Sequence, residues 1–390
     1  MRRAFETLRR DANDRVLIAL TLGLKAGILA IGFVAVALSV GGSAPSLLAP
    51  WDRWDAPHYT DIAVFGYMAD DPGNLVGPAG YRQVYPGDLD LYIVFHPLFP
   101  WLAAAVRSVV GDPVVAAFVV AGVASLFVAP LLRRVVGIEL GEAAGTRAAL
   151  FMLLFPTAYF LHIGYTESLF LALVLGAFWL ARTDRWWGAA VLAALATLTR
   201  VNGLVLLPAL AVEAWTAWRT DPDRRLRPAW LAAIAGPVVG FGGYLTLNLA
   251  VYGNAMAWAD IQRNHWHKSI HPPWDGIAAT LGWFSDQDPD RVVMHGWLEL
   301  GFIALGLAGT IYAAARFRPS WTAWMAGNWL LFTSTGFVLS APRYSLVLFP
   351  LMAWFAVMAE RRWVGTLIAA ASTGMLGWFA WRFATGAWAF

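Results

Sequence analysis

The feature that most constrains this chain is a series of eleven apolar runs separated by short polar turns. A helix needs about 20 apolar residues to cross a bilayer, and barrel strands would show an alternating polarity that these runs lack. We therefore predict an all-α polytopic membrane protein with about eleven transmembrane helices, within two, some of them short and tilted. The runs cover residues 16–40, 113–132, 148–163, 168–181, 186–199, 203–218, 229–251, 296–315, 321–340, 344–359 and 363–381.

Composition excludes most other classes of protein. Only 14% of the residues are charged and 59% are hydrophobic, against roughly 25% charged in a soluble domain, so a soluble enzyme, a disordered protein and a nucleic-acid binder are excluded. The chain has no cysteine, which excludes disulfides and thiolate metal sites. No glycine-rich phosphate loop follows a strand. If the chain is a glycosyl or phosphoryl transferase built only from membrane spans, a donor with a lipid tail suits it better than a soluble nucleotide.

Lysine and arginine predict the orientation. With the N-terminus in the cytoplasm, most of the 28 basic residues lie on inner segments, and Lys25, inside the first run, is expected to reach inward. This requires 41–111 to stay outside, so the proline-led run 97–110 is predicted to be a re-entrant or interfacial helix. A second external segment, 252–295, belongs to the same single domain, 1–390. The short loops are typical of a protein of the bacterial plasma membrane.

The first external segment opens with two carboxylates, Asp52 and Asp55, among tryptophans. Apolar neighbours raise a carboxyl pKa and limit water, which suits a general base. An interfacial helix with tryptophan at the headgroups and aspartate in solvent explains the same pattern equally well. The motif is Trp51-Asp52-Arg53-Trp54-Asp55-Ala56-Pro57-His58-Tyr59.

Two further motifs flank apolar runs on the external side. In Phe95-His96-Pro97-Leu98-Phe99-Pro100 the prolines predict a rigid helix start, and His96 is better explained as a polar edge residue than as a catalyst. In Gly164-Tyr165-Thr166-Glu167, Thr166 is a predicted N-cap and Glu167 lies in the first helical turn. A carboxylate at membrane depth is costly, so we expect Glu167 also to hold a sugar hydroxyl or an arginine.

Two external turns carry an arginine against the positive-inside bias. Such an arginine needs an anionic partner, either a carboxylate such as Glu167 or a phosphate, which guanidinium binds in a bidentate manner. The two turns are Thr199-Arg200-Val201-Asn202-Gly203 and Ala341-Pro342-Arg343-Tyr344.

The second external segment contains three close histidines, His265, His267 and His271. Their spacing does not present ligands on one helix face, which a supported metal site usually does. We therefore favour a wet, substrate-facing loop over a metal site.

Four motifs in order resemble the GPI mannosyltransferase II (PIG-V) family and its bacterial homologues, within the GT-C glycosyltransferase superfamily. His96 departs from the phenylalanine expected in the family, and the distal half is similar only around Pro342-Arg343-Tyr344. The motifs are Trp54-Asp55-Ala56-Pro57-His58-Tyr59 with Ile62-Ala63 and Gly66-Tyr67, Phe95-His96-Pro97-Leu98-Phe99-Pro100, Pro156 with Tyr165-Thr166-Glu167-Ser168-Leu169-Phe170, and Arg200-Val201-Asn202-Gly203.

The resemblance implies a polyprenyl-phosphate-mannose donor, an external active site and inverting transfer of mannose to a hydroxyl of a glycolipid, glycan or protein. It places the catalytic acid at Asp55 rather than Asp52. We expect Asp55 to act as the base, one or both of Arg200 and Arg343 to stabilise the leaving phosphate, and no cofactor or metal to be needed. The expected partners are the lipid-linked donor, the acceptor and the bilayer, and no nucleic acid.

The expected substrate-binding residues are Asp52, Trp54, His58, Tyr59, His96, Tyr165, Glu167, Arg200, Asn202, Arg343 and Tyr344. The alternative function is a transporter or flippase of a lipid-linked sugar. That class of protein shows discontinuous helices with charged groups near the bilayer midplane, whereas the ionisable residues here cluster at one external edge.

Overall fold

The computed structural model describes residues 11–39, 46–67, 90–221, 225–284 and 287–390. The N-terminal basic segment 1–10 and residues 41–45 and 68–89 of the first external segment lie outside this description. The described residues form helices joined by short turns, with one isolated β-bridge. The α-helices are α1 (Ala12–Ser39), α2 (Ala56–Phe65), α3 (Leu98–Val110), α4 (Pro113–Leu140), α5 (Glu142–Leu154), α6 (Glu167–Arg182), α7 (Trp186–Thr199), α8 (Leu206–Thr220), α9 (Pro228–Tyr252), α10 (Ala257–Asn264), α11 (Pro273–Gly282), α12 (Pro289–Val292), α13 (Leu298–Arg316), α14 (Pro319–Thr333), α15 (Ala341–Ser345), α16 (Phe349–Met358) and α17 (Arg362–Ala384).

The helices confirm an all-α integral membrane protein but not the count of eleven spans. Six described helical segments are long and apolar enough to cross a bilayer. Others in the predicted runs are shorter: α7 has 14 residues, about 21 Å at 1.5 Å per residue, against a hydrocarbon core of about 30 Å. The six are Ala12–Ser39, Pro113–Leu140, Val201–Thr220, Pro228–Tyr252, Pro289–Arg316 and Arg362–Ala384.

Several predicted runs are interrupted, and the interruptions precede the turns that carry expected functional residues. The run 148–163 breaks after Leu154 and continues as the 3₁₀ turn Ala158–Leu161. The run 321–340 ends as a helix at Thr333. Apolar composition alone does not show these breaks, because a buried turn is as apolar as a buried helix.

Helix α3 agrees with the prediction that 97–110 does not span the membrane. It has 13 residues, about 20 Å of helix. It packs against α2 and α4.

Lys25 is directed away from the end of α1 that holds Asp14. Its Nζ donates to the carbonyl oxygen of His162 at 3.0 Å. His162 precedes the start of α6, so Lys25 is directed toward that end of the bundle.

Helices α7 and α9 pack closely against each other, and glycine makes this approach possible. A Cβ at Gly236 or Gly240 would collide with the carbonyl oxygens of Ala190 and Ala194 on α7. Small residues four apart let two membrane helices approach closely. This pair fixes the direction of α7, whose last residue precedes Arg200.

The two ends of α6 identify the two ends of the bundle. The end at Arg182 carries buried ion pairs that tie helices directly to helices. Arg182 pairs with Glu139 at 3.1 Å, and Arg318 pairs with Glu213 at 2.8 Å. Arg133 and Arg134 both reach Asp14, at 2.9 and 2.5 Å, and Arg133 also contacts Asp11 and Glu142. We call these pairs the far-end network, and the opposite end the Glu167 end.

Candidate functional site

Four charged side chains from distant parts of the sequence meet at the Glu167 end. Arg343 donates through Nη1 to Asp55 Oδ2 at 2.5 Å and through Nε to Glu167 Oε1 at 2.6 Å. Arg200 donates through Nη1 to the same Glu167 oxygen at 2.6 Å. We call Asp55, Glu167, Arg200 and Arg343 the charge cluster. Each arginine has a carboxylate partner, as a charge in a protein interior requires.

Asp55 is held by a tight turn in front of α2. Trp54 has a left-handed φ of 57°, which is uncommon for a large non-glycine residue and persists only where the surroundings hold it. Tyr165 Oη donates to Arg53 O at 2.7 Å and accepts from the backbone N–H of Asp55 at 3.2 Å. The phenol therefore ties this turn to the segment that leads into Glu167.

Arg200 is placed by the abrupt end of α7. Its φ of −155° is extended and ends the helix, and the following turn folds back so closely that a Cβ at Gly203 would collide with the backbone of Thr197. Thr166 is the N-cap residue of α6, as predicted, but its side chain makes no capping hydrogen bond. Its Oγ1 accepts from Arg200 Nη1 at 2.8 Å instead. Glu167 does lie in the first turn of α6, as predicted.

A carboxylate that the sequence analysis missed holds the turn before Arg343. Glu299 is fully buried, and its two oxygens accept the backbone N–H of Ser340 at 2.7 Å and of Ala341 at 2.6 Å. Ser340 has a positive φ of 68°, a strained conformation that these two bonds stabilise. An acidic residue within the apolar run 296–315 was the signal that could have found it.

The charge cluster is buried at one edge and open at the other. Side-chain exposure rises from 1% for Glu167 through 7% for Arg343 and 13% for Arg200 to 32% for Asp55. Glu167 Oε2 is buried and has no hydrogen-bond partner among the described residues. The cluster is therefore accessible from the side of Asp55, and Glu167 lies at its buried floor.

The cluster keeps Asp55 ionised. Burial raises the pKa of Asp55, but the charge and hydrogen bond of Arg343 outweigh burial, with help from His58 and Arg200, so this pKa lies below 3.8. Burial lowers the pKa of His58, against the opposing charge of Asp55. A neutral His58 donates from Nδ1 to Trp54 O at 3.1 Å. Asp55 is therefore a negatively charged acceptor at neutral pH.

An aromatic wall stands beside the open edge. His58 stacks on Phe95 at 4.7 Å between ring centroids, and Tyr92 lies edge-on to it at 4.8 Å. Trp266, from the second external segment, lies edge-on to His58 at 5.8 Å. Trp54 is 44% exposed nearby. Flat apolar rings with a polar edge suit the apolar faces of a sugar ring.

His96 lies in the interior, not at a polar edge as expected. Its ring stacks on Tyr244 at 4.1 Å. Burial lowers the pKa of His96 to about 4, and the neutral ring donates from Nδ1 to Thr197 O at 2.7 Å. Its contacts are structural, and the substitution relative to the family pattern leaves the charge cluster intact.

Three other predicted binding residues are also buried. Asn202 donates through Nδ2 to Asn328 Oδ1 at 2.8 Å, tying the turn after Arg200 to α14. Tyr59 and Tyr165 are 5% and 0% exposed and pack edge-on at 6.2 Å. Their positions support the cluster from below rather than line its open edge.

The histidines of the second external segment do not converge. His271 lies with Nδ1 3.4 Å from Asp275 Oδ2 and Nε2 3.0 Å from Ser269 Oγ, while His265 packs edge-on against Trp266. Within the ranges that the structure describes, no group of three or more histidine, aspartate or glutamate side chains is arranged to hold a metal ion.

Comparison with known families gives a match over residues 33–219, to a model described as mannosyltransferase (PIG-V). The resemblance to this family is confirmed. The matched region contains Asp55, Glu167 and Arg200, whereas Arg343 lies beyond it. A comparison with curated protein sequences finds no match.

Two solved structures are similar in fold. ArnT from Cupriavidus metallidurans, bound to undecaprenyl phosphate, is 15% identical, with a TM-score of 0.52 over 94% of this chain and 69% of that chain. The oligosaccharyltransferase AglB from Archaeoglobus fulgidus, in complex with an inhibitory peptide and a dolichol-phosphate, is 11% identical, with a TM-score of 0.46 over 95% of this chain and 56% of that chain. The likeness to ArnT shows the GT-C fold. The family match, on that fold, supports a membrane glycosyltransferase.

Proposed function

We propose that the protein transfers mannose, with inversion, from a polyprenyl-phosphate-mannose donor to a hydroxyl of an external acceptor. One observation carries the proposal: a partly open carboxylate, Asp55, lies 2.5 Å from an arginine, Arg343, that belongs to a buried charge cluster. The family match supports mannose as the sugar. The undecaprenyl phosphate bound to ArnT supports a lipid-linked donor.

The reaction is a single displacement. An acceptor hydroxyl oxygen forms a bond to the anomeric carbon of mannose while the bond from that carbon to the phosphate oxygen breaks. Asp55 accepts the hydroxyl proton, and the lipid leaves as a phosphate monoester. Attack opposite to the leaving group inverts the anomeric centre.

The lowered pKa of Asp55 is compatible with this role. A hydroxyl becomes strongly acidic as its oxygen binds the anomeric carbon, so a weak base accepts the proton late in the step. The leaving phosphate is already stable as an anion. Arg343 links the two events, because a phosphate that attracts this guanidinium also loosens its bond to Asp55. The contact with Arg343 gives a geometric reason to prefer Asp55 over Asp52.

The two arginines supply the electrostatic stabilisation. Arg200 and Arg343 are fixed before the substrate binds, because each donates to Glu167. Preorganised donors that face a developing negative charge lower the barrier without reorganisation. We propose that they take the place of a divalent metal ion.

The sugar lies against the aromatic wall in this proposal. His58, Phe95 and Trp266 offer ring faces and edges beside Asp55. Trp54 adds an exposed ring at the rim. Stacking of this kind orients a pyranose so that one face of its anomeric carbon is toward the base.

We place the Glu167 end outside the cytoplasm and the N-terminus inside, in a bacterial plasma membrane. The far-end network then lies at the inner surface, where the excess of arginine is expected. The external segments 41–111 and 252–295 contribute the aromatic wall through His58 and Trp266.

The test is transfer of mannose from a synthetic short-chain polyprenyl-phosphate-mannose to a glycolipid acceptor, followed as an acceptor mass increase. Wild type and Asp55→Asn are compared in the same detergent. We expect product with wild type and none above background with Asp55→Asn. Donor movement across a vesicle membrane without any acceptor mass change would instead identify a flippase.

A further inference from the structure

Lys268 is a cation near the charge cluster that the proposed reaction has not yet used. It lies between α10 and α11 in the second external segment. Its Nζ is 5.8 Å from the centre of the Tyr344 ring, and the guanidinium carbon of Arg200 is 5.9 Å from the same centre. Tyr344 directly follows Arg343. Two cations from different segments are therefore close to one phenol at the edge of the cluster.

Two contacts hold this part of the second external segment in place. The backbone N–H of Lys268 donates to Gln262 O at 2.8 Å, which folds the loop over the end of α10. A β-bridge joins Ile270 to Thr335, and His271 N–H donates to Ser334 O at 3.3 Å. The loop is thus fastened to the turn that follows α14, and Lys268 is carried toward Tyr344.

Lys268 differs from the two arginines in its ion pairs. Arg200 and Arg343 already donate to the carboxylates of the charge cluster. In the described parts of the chain, no carboxylate lies within 4 Å of Lys268 Nζ. The charge of Lys268 acts on the Glu299 carboxyl group, yet both Glu299 oxygens accept backbone N–H groups. The three N–H donors of this ammonium group remain available to a ligand.

Tyr344 responds to the same charge. Lys268 lowers the pKa of the Tyr344 phenol, against the effect of burial, with smaller contributions from Arg343 and Arg200. A phenol with a lowered pKa is a stronger hydrogen-bond donor to an anion. The two cations and the phenol, grouped around one ring, are all hydrogen-bond donors that suit an anionic ligand.

We propose that Lys268, Tyr344 and Arg200 form a phosphate subsite that binds the phosphodiester of the lipid-linked sugar donor. This inference rests on the proposed function and assigns the second external segment to the donor side. Transfer turns a phosphodiester with one negative charge into a monoester that approaches two. An ammonium group without a carboxylate partner stabilises that added charge, whereas the arginines must share theirs with Asp55 and Glu167.

The experiment measures equilibrium binding of a short-chain polyprenyl phosphate, without sugar, to the full-length protein in detergent. A charge-assisted hydrogen bond is worth enough that Lys268→Gln is expected to weaken binding roughly 10- to 100-fold. Lys268→Arg, which keeps the charge, is expected to stay within a few-fold of wild type. A thermal melt checks that each variant is folded.

Arg263→Gln is the matched control. Arg263 is an exposed cation on α10 that pairs with Asp260 at 3.7 Å, so its loss removes one positive charge from the same segment. We expect it to leave binding unchanged. If Arg263→Gln and Lys268→Gln weaken the binding of polyprenyl phosphate equally, the effect comes from the net charge of the segment, and the subsite is overturned.

Two further outcomes would also overturn it. One is wild-type affinity in Lys268→Gln; the other is a Lys268→Arg variant as weak as Lys268→Gln, which would make the role of Lys268 structural. Competition with inorganic phosphate and with vesicles of anionic phospholipid separates the sources of the phosphate. Displacement by either at concentrations similar to the polyprenyl phosphate would overturn the assignment to a lipid-linked donor.

The proposed function fails separately from the subsite. If wild type binds polyprenyl phosphate in a Lys268-dependent manner but transfers no mannose, the mannosyl transfer is wrong and the subsite stands. If wild type transfers mannose while binding ignores Lys268, the subsite is wrong and the transfer stands.

Discussion

The two ends of the bundle use the same residue types in different ways. Glu213, in the far-end network, is 2% exposed and has both oxygens occupied, by Arg318 at 3.1 and 2.8 Å and by Ser320 Oγ at 2.7 Å. Glu167, in the charge cluster, is fully buried and binds two arginines through one oxygen, while its other oxygen has no partner among the described residues. A carboxylate whose two oxygens both have hydrogen-bond partners has a structural role only. A carboxylate with one unpartnered oxygen can still accept a hydrogen bond from a ligand.

The chain segments that carry the charges also differ between the ends. Most far-end residues lie within helices that pack on one another, so their ion pairs join rigid elements. In the charge cluster, Asp55 precedes α2, Arg200 follows α7 and Arg343 lies on a five-residue helix. Turns are harder to hold in place than helices, and Glu299 and Tyr165 provide that support. The difference shows that burial of charge does not by itself mark a functional site.

The largest expected effect separates the ends through two aspartates. Asp55→Asn removes the proposed base, and general-base catalysis is worth roughly 10²–10⁴-fold, so turnover should fall by about that factor. The melting temperature should fall less than in a far-end variant, because Arg343 keeps Glu167 as a partner. Asp14→Asn breaks a buried pair with Arg133 and Arg134 and should lower stability instead. Turnover per folded molecule and thermal melts measure the two effects. Near-normal turnover in Asp55→Asn would remove Asp55 from catalysis.

Changes at both arginines test how the phosphate is held. Arg200→Ala and Arg343→Ala each remove a charge-assisted donor worth about 1.5–3 kcal/mol, so the donor KM should rise roughly 10- to 100-fold. Initial rates over a range of donor concentrations provide the measurement. An unchanged donor affinity in both variants would exclude the phosphate role of these side chains.

The two glutamates offer a matched pair. Glu213→Gln leaves Arg318 without a buried partner and should cost about 3–5 kcal/mol of unfolding free energy with little change in turnover per folded molecule. Glu167→Gln should reduce kcat/KM roughly 10-fold or more, because both arginines lose the carboxylate that orients them. Denaturation and kinetics on the same preparations compare them. The distinction between the ends disappears if the two variants show the same profile.

The pH dependence gives a smaller effect with a defined sign. The folded-state pKa of Asp55 is below its ordinary 3.8, so the ion pair contributes stability above that value and loses it as pH falls through the folded pKa. Turnover should accordingly decline on the acid side only below about pH 3.8 as far as Asp55 is concerned. Arg343→Gln removes the largest lowering influence and leaves burial, which raises the pKa, so the acid limb should move upward. If the acid side of the pH profile does not move in Arg343→Gln, Arg343 does not control the ionisation of Asp55.

The smallest expected effect is that of metal removal. If the arginines take the place of a divalent ion, activity after dialysis against EDTA should match the untreated protein within experimental error. Restoration of lost activity by added Mg²⁺ or Mn²⁺ would contradict this part of the mechanism. A thermal melt is the control, because general damage from the treatment would also disrupt the far-end network and lower the melting temperature.

Sequence patterns found the residues of the charge cluster but not their geometry. Asp55, Glu167, Arg200 and Arg343 stood out because charged residues beside apolar runs are costly and need partners. The same reasoning grouped them with His96 and Asn202, which the structure places in structural contacts. Lys268 directly follows His267 of the histidine segment, but its closeness to Tyr344 depends on how the loop is fastened to the end of α14. Contacts between residues so far apart in the chain produce no periodic pattern in the sequence.

By itself the sequence determined the solvent in which this protein folds, its all-helical class and the charged residues that needed partners, because hydrophobicity and the cost of charge in lipid are properties of local composition. Tertiary structure alone decided which arginine meets which carboxylate and that Glu299 supports the turn before Arg343. It also decided that one Glu167 oxygen has no partner among the described residues, whereas both Glu213 oxygens do. Those outcomes depend on distances between segments as far apart as Asp55 and Arg343, which are set by helix packing and by the turns that end each helix.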